Sequence, residues 1–76
     1  MREFQVGDKV RTTRVIPVTS YKVTQKHTNY LMPGTMATFM MCVRIEDGEP
    51  LFAIELEDGT IVTDVDEASI ELIESD

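Results

Sequence analysis

The 76-residue chain has one cysteine, one histidine and, beyond Arg44, no lysine or arginine at all. Because Cys42 is alone, no internal disulfide and no cysteine-rich zinc site can form, and a reducing compartment is the simpler setting. The single histidine, His27, has Ser20, Thr24 and Thr28 nearby but no specific nucleophile–base–orienter arrangement with them, so it reads as an exposed loop residue. No apolar stretch approaches the roughly 20 residues of a membrane span. No charged-then-apolar leader precedes the first strand-like run, so a soluble, cytoplasmic protein is expected. Repeats and low-complexity linkers are also missing, which leaves one domain over residues 1–76. A chain this short buries only about 60–65% of its unfolded surface. Its 42% hydrophobic content still excludes disorder, despite a net charge of −7.

What charge there is falls into two blocks. All seven cations lie in residues 1–44, where Glu3 and Asp8 are the only acids. From Ile45 onward there are twelve acids and no cation. Such segregation orients a molecule at a binding surface. The overall acidity argues against general attraction to nucleic acid, whose phosphates most of the surface would repel.

Turn signals recur at Gly7-Asp8, Pro33-Gly34, Asp47-Gly48 and Asp58-Gly59, separating short runs rich in Val, Ile, Thr and Phe. The clearest unit joins 52–57 to 60–65 through Asp58-Gly59, which predicts a two-residue type I′ hairpin pairing Leu56 with Ile61. Phe52, Ile54, Leu56, Ile61 and Val65 then point inward, and Glu55 and Glu57 outward. A strand over about 35–45 has an unbroken apolar set at Ala37, Phe39, Met41, Val43 and Ile45, read as core. Its even positions, Met36 to Arg44, form a partly covered outer face, with Cys42 an inert thiol. Near the start, Val10 and Thr12 point inward and Lys9 and Arg11 outward. Residues 70–74 read as a closing strand, preceded by a helical turn capped by Asp66, with a helix over 66–74 as the rival. About five antiparallel strands suggest a small closed β-barrel, which would remove exposed strand edges. The long connection after the first strand, about 15–32, exceeds an ordinary loop. Val15 to Val18 and Tyr30 to Met32 are apolar enough to pack at its ends, leaving a polar tip at 19–29.

This order of strands resembles SH3-like barrels over nearly the whole chain, from Val6-Gly7-Asp8-Lys9-Val10-Arg11 to the Leu56-Glu57-Asp58-Gly59 hairpin and Ile70-Glu71-Leu72-Ile73. Within that group it is similar to two accessory barrels, the C-terminal domain of the nitrile hydratase β-subunit and the small chain of ferredoxin–thioredoxin reductase. Gly7, Asp8, Val10, Arg11, Pro17, His27, Thr28 and Gly34 fall in the order of the nitrile hydratase pattern. The arginine that serves the metal centre in that pattern falls on Asn29 here, so the resemblance implies a fold and an accessory role, and no catalysis. First and last strands are neighbours in such folds, which would set Lys9 and Arg11 beside Glu71 and Glu74.

The residues then point to a non-enzymatic, protein-binding module that serves a larger protein or enzyme, with no cofactor and no metal. Two charged tips are the candidate contacts. The loop tip offers Arg14, Tyr21, Lys22, Lys26, His27 and Tyr30, and the acidic face Glu46, Asp47, Glu49, Glu55, Glu57 and Asp58. A second reading makes the carboxylates a mimic of nucleic acid that inhibits a nucleic-acid enzyme, as phages and mobile elements encode. A third uses the cations and tyrosines of the loop to bind nucleic acid directly. Asp64-Val65-Asp66-Glu67 clusters oxygens but lacks the twelve-residue calcium loop, so it reads as a solvated acidic face. Met36, Met40 and Cys42 would make a self-contact strip for a weak homodimer.

Overall fold

The computed structural model describes residues 4–18 and 30–73. It is an all-β fold. Strands β1 (Lys9–Thr12), β4 (Met36–Glu46), β5 (Glu49–Leu56), β6 (Ile61–Asp66) and β7 (Ile70–Leu72) form one antiparallel sheet in the order β6-β5-β4-β1-β7. Two short strands, β2 (Ile16–Pro17) and β3 (Tyr30–Leu31), pair with each other inside the long connection. Ile16 and Leu31 are buried there, so both ends of that connection dock on the core as their apolar character predicts. Its tip, 19–29, lies outside the described residues.

β1 alternates as expected, with Val10 and Thr12 buried and Lys9 and Arg11 exposed. Its neighbours are β4 on one side and β7 on the other, so first and last strands are adjacent. Thr12 is a buried polar residue, and all of its hydrogen-bonding capacity is used. Its backbone N–H donates to the Thr35 carbonyl and its carbonyl accepts from the Gly34 N–H, at 2.9 and 2.8 Å. Its hydroxyl donates to the Met32 carbonyl and accepts from the Thr35 N–H, both at 2.9 Å. Thr13 then holds the other side, with its N–H on the Ser69 carbonyl and its hydroxyl on the Ala68 carbonyl.

The β5–β6 hairpin differs from the expected two-residue type I′ turn. The Gly59 N–H donates to the Leu56 carbonyl, the Leu56 N–H donates to the Thr60 carbonyl, and Glu55 opposes Ile61. Three residues, 57–59, therefore make the loop, with Gly59 at φ +91° closing a type I turn. The Asp58 carboxylate accepts the Thr60 N–H at 2.9 Å and shapes that wider loop. The one-residue slip exchanges faces. Val62 is fully buried, and Ile61, expected inward, is only partly so, as is Leu56. A register shift opposite Ala53, with Asp64 at φ +62°, then brings Val65 back inward. The type I′ turn occurs instead at Asp47-Gly48, where Glu46 pairs with Glu49 and the φ values are +53° and +81°.

β4 departs furthest from expectation. Ala37 and Phe39 are buried, but Met41, Val43 and Ile45 are 55%, 38% and 70% exposed. Register shifts between Phe39 and Met41 and between Cys42 and Arg44 each insert a residue and flip the parity of the strand beyond it. The outer half of β4 runs past its last partner in β1, and beyond the Leu51–Asp66 pairing only Ile45 and Glu46, with Glu49 and Pro50 of β5, form a two-stranded ribbon tip that projects past the core. Cys42 is exposed on it, not partly covered.

The core is a single cluster built around the fully buried Val10, Ile54, Val62 and Val65, with Phe39, Phe52 and Ile70. Phe4 seals one end: it stacks on Phe39 at 5.5 Å and meets Phe52 edge-on at 5.6 Å between centroids. Between β6 and β7 the chain makes a 3-10 turn over Glu67–Ser69, and the Ser69 hydroxyl donates to the Asp66 carboxylate. A turn followed by a strand was expected and is present, but the Asp66 carboxylate takes the Ser69 hydroxyl and caps no backbone N–H as expected; the rival helix over 66–74 is excluded for the described residues. β7 is drawn away to β1, so no ladder joins β6 to β7 among the described residues. The sheet stays open where closure into a barrel was expected.

Two substitutions test these points by urea unfolding. Thr12→Val keeps the shape but orphans the partly buried Thr35 N–H, and should cost about 1–3 kcal/mol with an unchanged m value. Val62→Ala should cost about 1.5–3 kcal/mol, clearly more than Ile61→Ala. The reverse order would indicate the two-residue turn.

Candidate functional site

Three adjacent strands bring Lys9, Thr38 and Glu55 into one row on the outer face, since Lys9 opposes Thr38 and Thr38 opposes Glu55. The Lys9 ammonium donates to the Thr38 hydroxyl at 3.1 Å. Over this row lies an open groove of about 560 Å³, floored by Met36, Leu56 and Ile73 and walled by Lys9 on one side and Glu55 and Glu57 on the other. A shallower extension of about 270 Å³ continues past Met36 to Thr35 and Asp58. The apolar floor and the opposed charges at its margins suit an extended segment that carries a basic side chain beside an apolar one. Among the described residues, neither Glu55 nor Glu57 has a cation within ion-pair distance.

The groove gathers Glu55, Glu57 and Asp58 from the acidic set. Glu46, Asp47 and Glu49 are exposed at the tip of the ribbon, at the opposite end of β5. Seven strand rises separate Glu49 from Leu56, roughly 23 Å. The acidic face is thus two clusters. Asp58 also has a structural task in the β5–β6 turn. Of the basic tip, Arg14 is exposed and Tyr30 is 56% exposed opposite Pro17. Tyr21, Lys22, Lys26 and His27 lie outside the described residues. Arg14 lines a second cleft of about 340 Å³ with Pro17, Leu51 and Ser69.

Other cations are spoken for. Arg11 stands opposite Glu71 across β1 and β7, with Nε and Nη2 at 2.9 and 2.8 Å from one carboxylate oxygen. Both side chains are about half exposed, so the pair contributes less than about 1 kcal/mol. The predicted neutralised seam is present at this pair; Glu74 lies outside the described residues. Arg44 bridges Asp64 at 3.1 Å and approaches Glu46 at 3.9 Å. Asp64 and Asp66, read as clustered oxygens, are thus engaged by Arg44 and Ser69 respectively. Among the described residues no group of three or more His, Cys, Asp or Glu is arranged to hold a metal, and no helix is long and apolar enough to cross a membrane.

Sequence reasoning placed Met36 on the outer face and named the hairpin carboxylates. Lys9 and Ile73 as groove margins were missed. The outward position of Lys9 was legible, but its row with Thr38 and Glu55 depends on a strand pairing across 29 residues. Compared with known proteins, the chain matches no family model, and no curated protein or solved structure is significantly similar to it.

The exposure of the ribbon gives a direct check. Met41→Ser, Val43→Thr and Ile45→Thr should each shift stability by no more than about 0.5 kcal/mol at low protein concentration, whereas Phe39→Ala should cost about 3–5 kcal/mol. Thermal unfolding of the four variants distinguishes a projecting ribbon from a core strand.

Proposed function

We propose that the chain is a non-enzymatic protein-binding module of SH3-like type, an accessory or regulator of a larger protein. The fold-level part of this reading draws support from the adjacency of first and last strands, the long connection after β1 and the short turn before β7. Open closure between β6 and β7 is a departure from an ideal barrel. Such an analogy bears on fold, and the function rests on the site.

The groove carries the functional reading. Its floor of Met36, Leu56 and Ile73 is adaptable and apolar, and its Glu55 and Glu57, unpaired among the described residues, select a partner segment with a lysine or arginine at that margin. The nucleic-acid-mimicking alternative fits less well. Duplex DNA presents one negative charge per roughly 1.7 Å of axis. The carboxylates here fall into two clusters at opposite ends of β5, and Arg44 sits near one of them. Direct nucleic-acid binding would rest on the loop tip and would have to overcome the net charge of −7.

Affinity capture from the source cell, using the full chain, tests the reading. A partner held by the wild type should be lost from Glu55→Lys plus Glu57→Lys, and should survive added duplex DNA. Retention of every captured protein by that pair, and separately by Lys22→Glu plus Lys26→Glu, would overturn it. Loss on adding DNA alone would favour the mimic.

A further inference from the structure

The ladder between β1 and β4 ends where Phe39 exchanges hydrogen bonds with Gly7 and Asp8. From Met40 to Glu46 the edge of β4 that faces away from β5 has no ladder partner among the described residues. An open edge of this kind is a template for another strand. Of the usual guards, the segment Met40-Met41-Cys42-Val43-Arg44-Ile45-Glu46 lacks lysine and proline; it has the bulges at Met40 and Val43 and the charges of Arg44 and Glu46, which leaves Ile45 as the open apolar position. Met41, Val43 and Ile45 are turned to solvent, Ile45 most of all at 70%.

The charges beside Ile45 favour one occupant. Arg44 and Glu46 flank it with opposite sign, so an antiparallel pairing of two identical edges about a two-fold axis at Ile45 is self-complementary. It sets Ile45 against the partner's Ile45, and Arg44 against the partner's Glu46, twice over. Shifting the axis to Arg44 would oppose two arginines directly, which is unfavourable. The axis at Ile45 also overlaps only the ribbon tips, which sets the two bodies at opposite ends of the antiparallel pair. The bulge at Val43 confines regular pairing to the outermost residues.

We propose that the tip of β4 pairs with the same edge of a second copy, giving a two-fold dimer centred on Ile45. A handful of residues on each side falls short of the roughly 800 Å² per partner of a standard interface. The dimer is therefore weak and governed by concentration. This differs from the strip of Met36, Met40 and Cys42 read from the sequence, because Met36 belongs to the groove.

Sedimentation equilibrium of the full chain over a wide concentration range tests the proposal, with circular dichroism confirming that each variant is folded. The wild type should show a reversible monomer–dimer equilibrium, and Ile45→Lys should abolish it. Arg44→Glu alone and Glu46→Arg alone should each weaken it by about tenfold or more, and the double exchange should restore it to within about threefold. Asp64→Asn should leave it unchanged, which separates the contact between copies from the pair within one chain. A monomeric wild type, a dimer indifferent to Ile45→Lys, or a double exchange that fails to restore association overturns the proposal. So does loss of the dimer in Met36→Lys, which would place the interface at the groove.

Discussion

The buried hydroxyl of Thr12 ties the end of β1 to the return of the long connection. It bonds the Met32 carbonyl and the Thr35 N–H at once, while its own backbone groups pair with Gly34 and Thr35. The return of the long connection is thereby fixed to the end of β1. Thr13, one residue on, fixes the 3-10 turn through Ser69 and Ala68. Those two anchors set where β4 starts and where β7 arrives. The groove follows from both, since Met36 begins β4 and Ile73 ends the pairing of β7 with Lys9. A valine at position 12 would have the same shape and the same β preference, yet could hold neither partner. Secondary-structure propensity therefore says little about this site, and hydrogen-bond satisfaction says much.

How far the fold was legible depended on parity. Val10 and Thr12, Ile16 and Leu31, and the Asp66 turn could be read because each sits in a short segment where nothing interrupts the alternation. Ala37, Phe39, Met41, Val43 and Ile45 form an equally clean pattern, and its last three members are exposed. The bulge at Met40 reverses the faces for Met41, the one at Val43 reverses them back, and Ile45 is exposed because it lies past the last pairing to β6. Nothing in the local residue pattern marks either bulge, because a bulge is set by what the partner strand demands. The two Asp-Gly pairs make the same point. At 47–48 both residues adopt positive φ, while at 58–59 only the glycine does, because the Asp58 carboxylate turns onto the Thr60 N–H. An identical dipeptide thus supports two loop lengths, and one residue of loop decides whether Val62 or Ile61 enters the core.

The same long-range pairings reshape the electrostatics. Along the chain the charges divide at Arg44, but in space β1 lies beside β7 and Arg44 beside Asp64, so two of the basic residues are absorbed by acids far away in sequence. The carboxylates at the two ends of β5 remain in separate places with different neighbours. One group borders an apolar floor and the other caps a ribbon. The sequence makes the acidity plain; its partition is a property of the length of β5.

That ribbon is hard to account for by folding alone. A domain of this size has little core to spare, and each ordered backbone residue costs roughly 1–2 kcal/mol of conformational entropy. A hairpin lifted off the core recovers little of this by burial, and isolated two-stranded ribbons are marginal in water. Here it is braced by the type I′ turn at Asp47-Gly48 and by the Arg44 bridge to Asp64, one at its tip and one near its base. Bracing at both ends holds an apolar edge exposed where burial alone would not hold it. Ile45, outermost among the apolar side chains of the strand and 70% exposed, contributes little to the core, and an exposed apolar edge of this kind fits the proposed contact between copies.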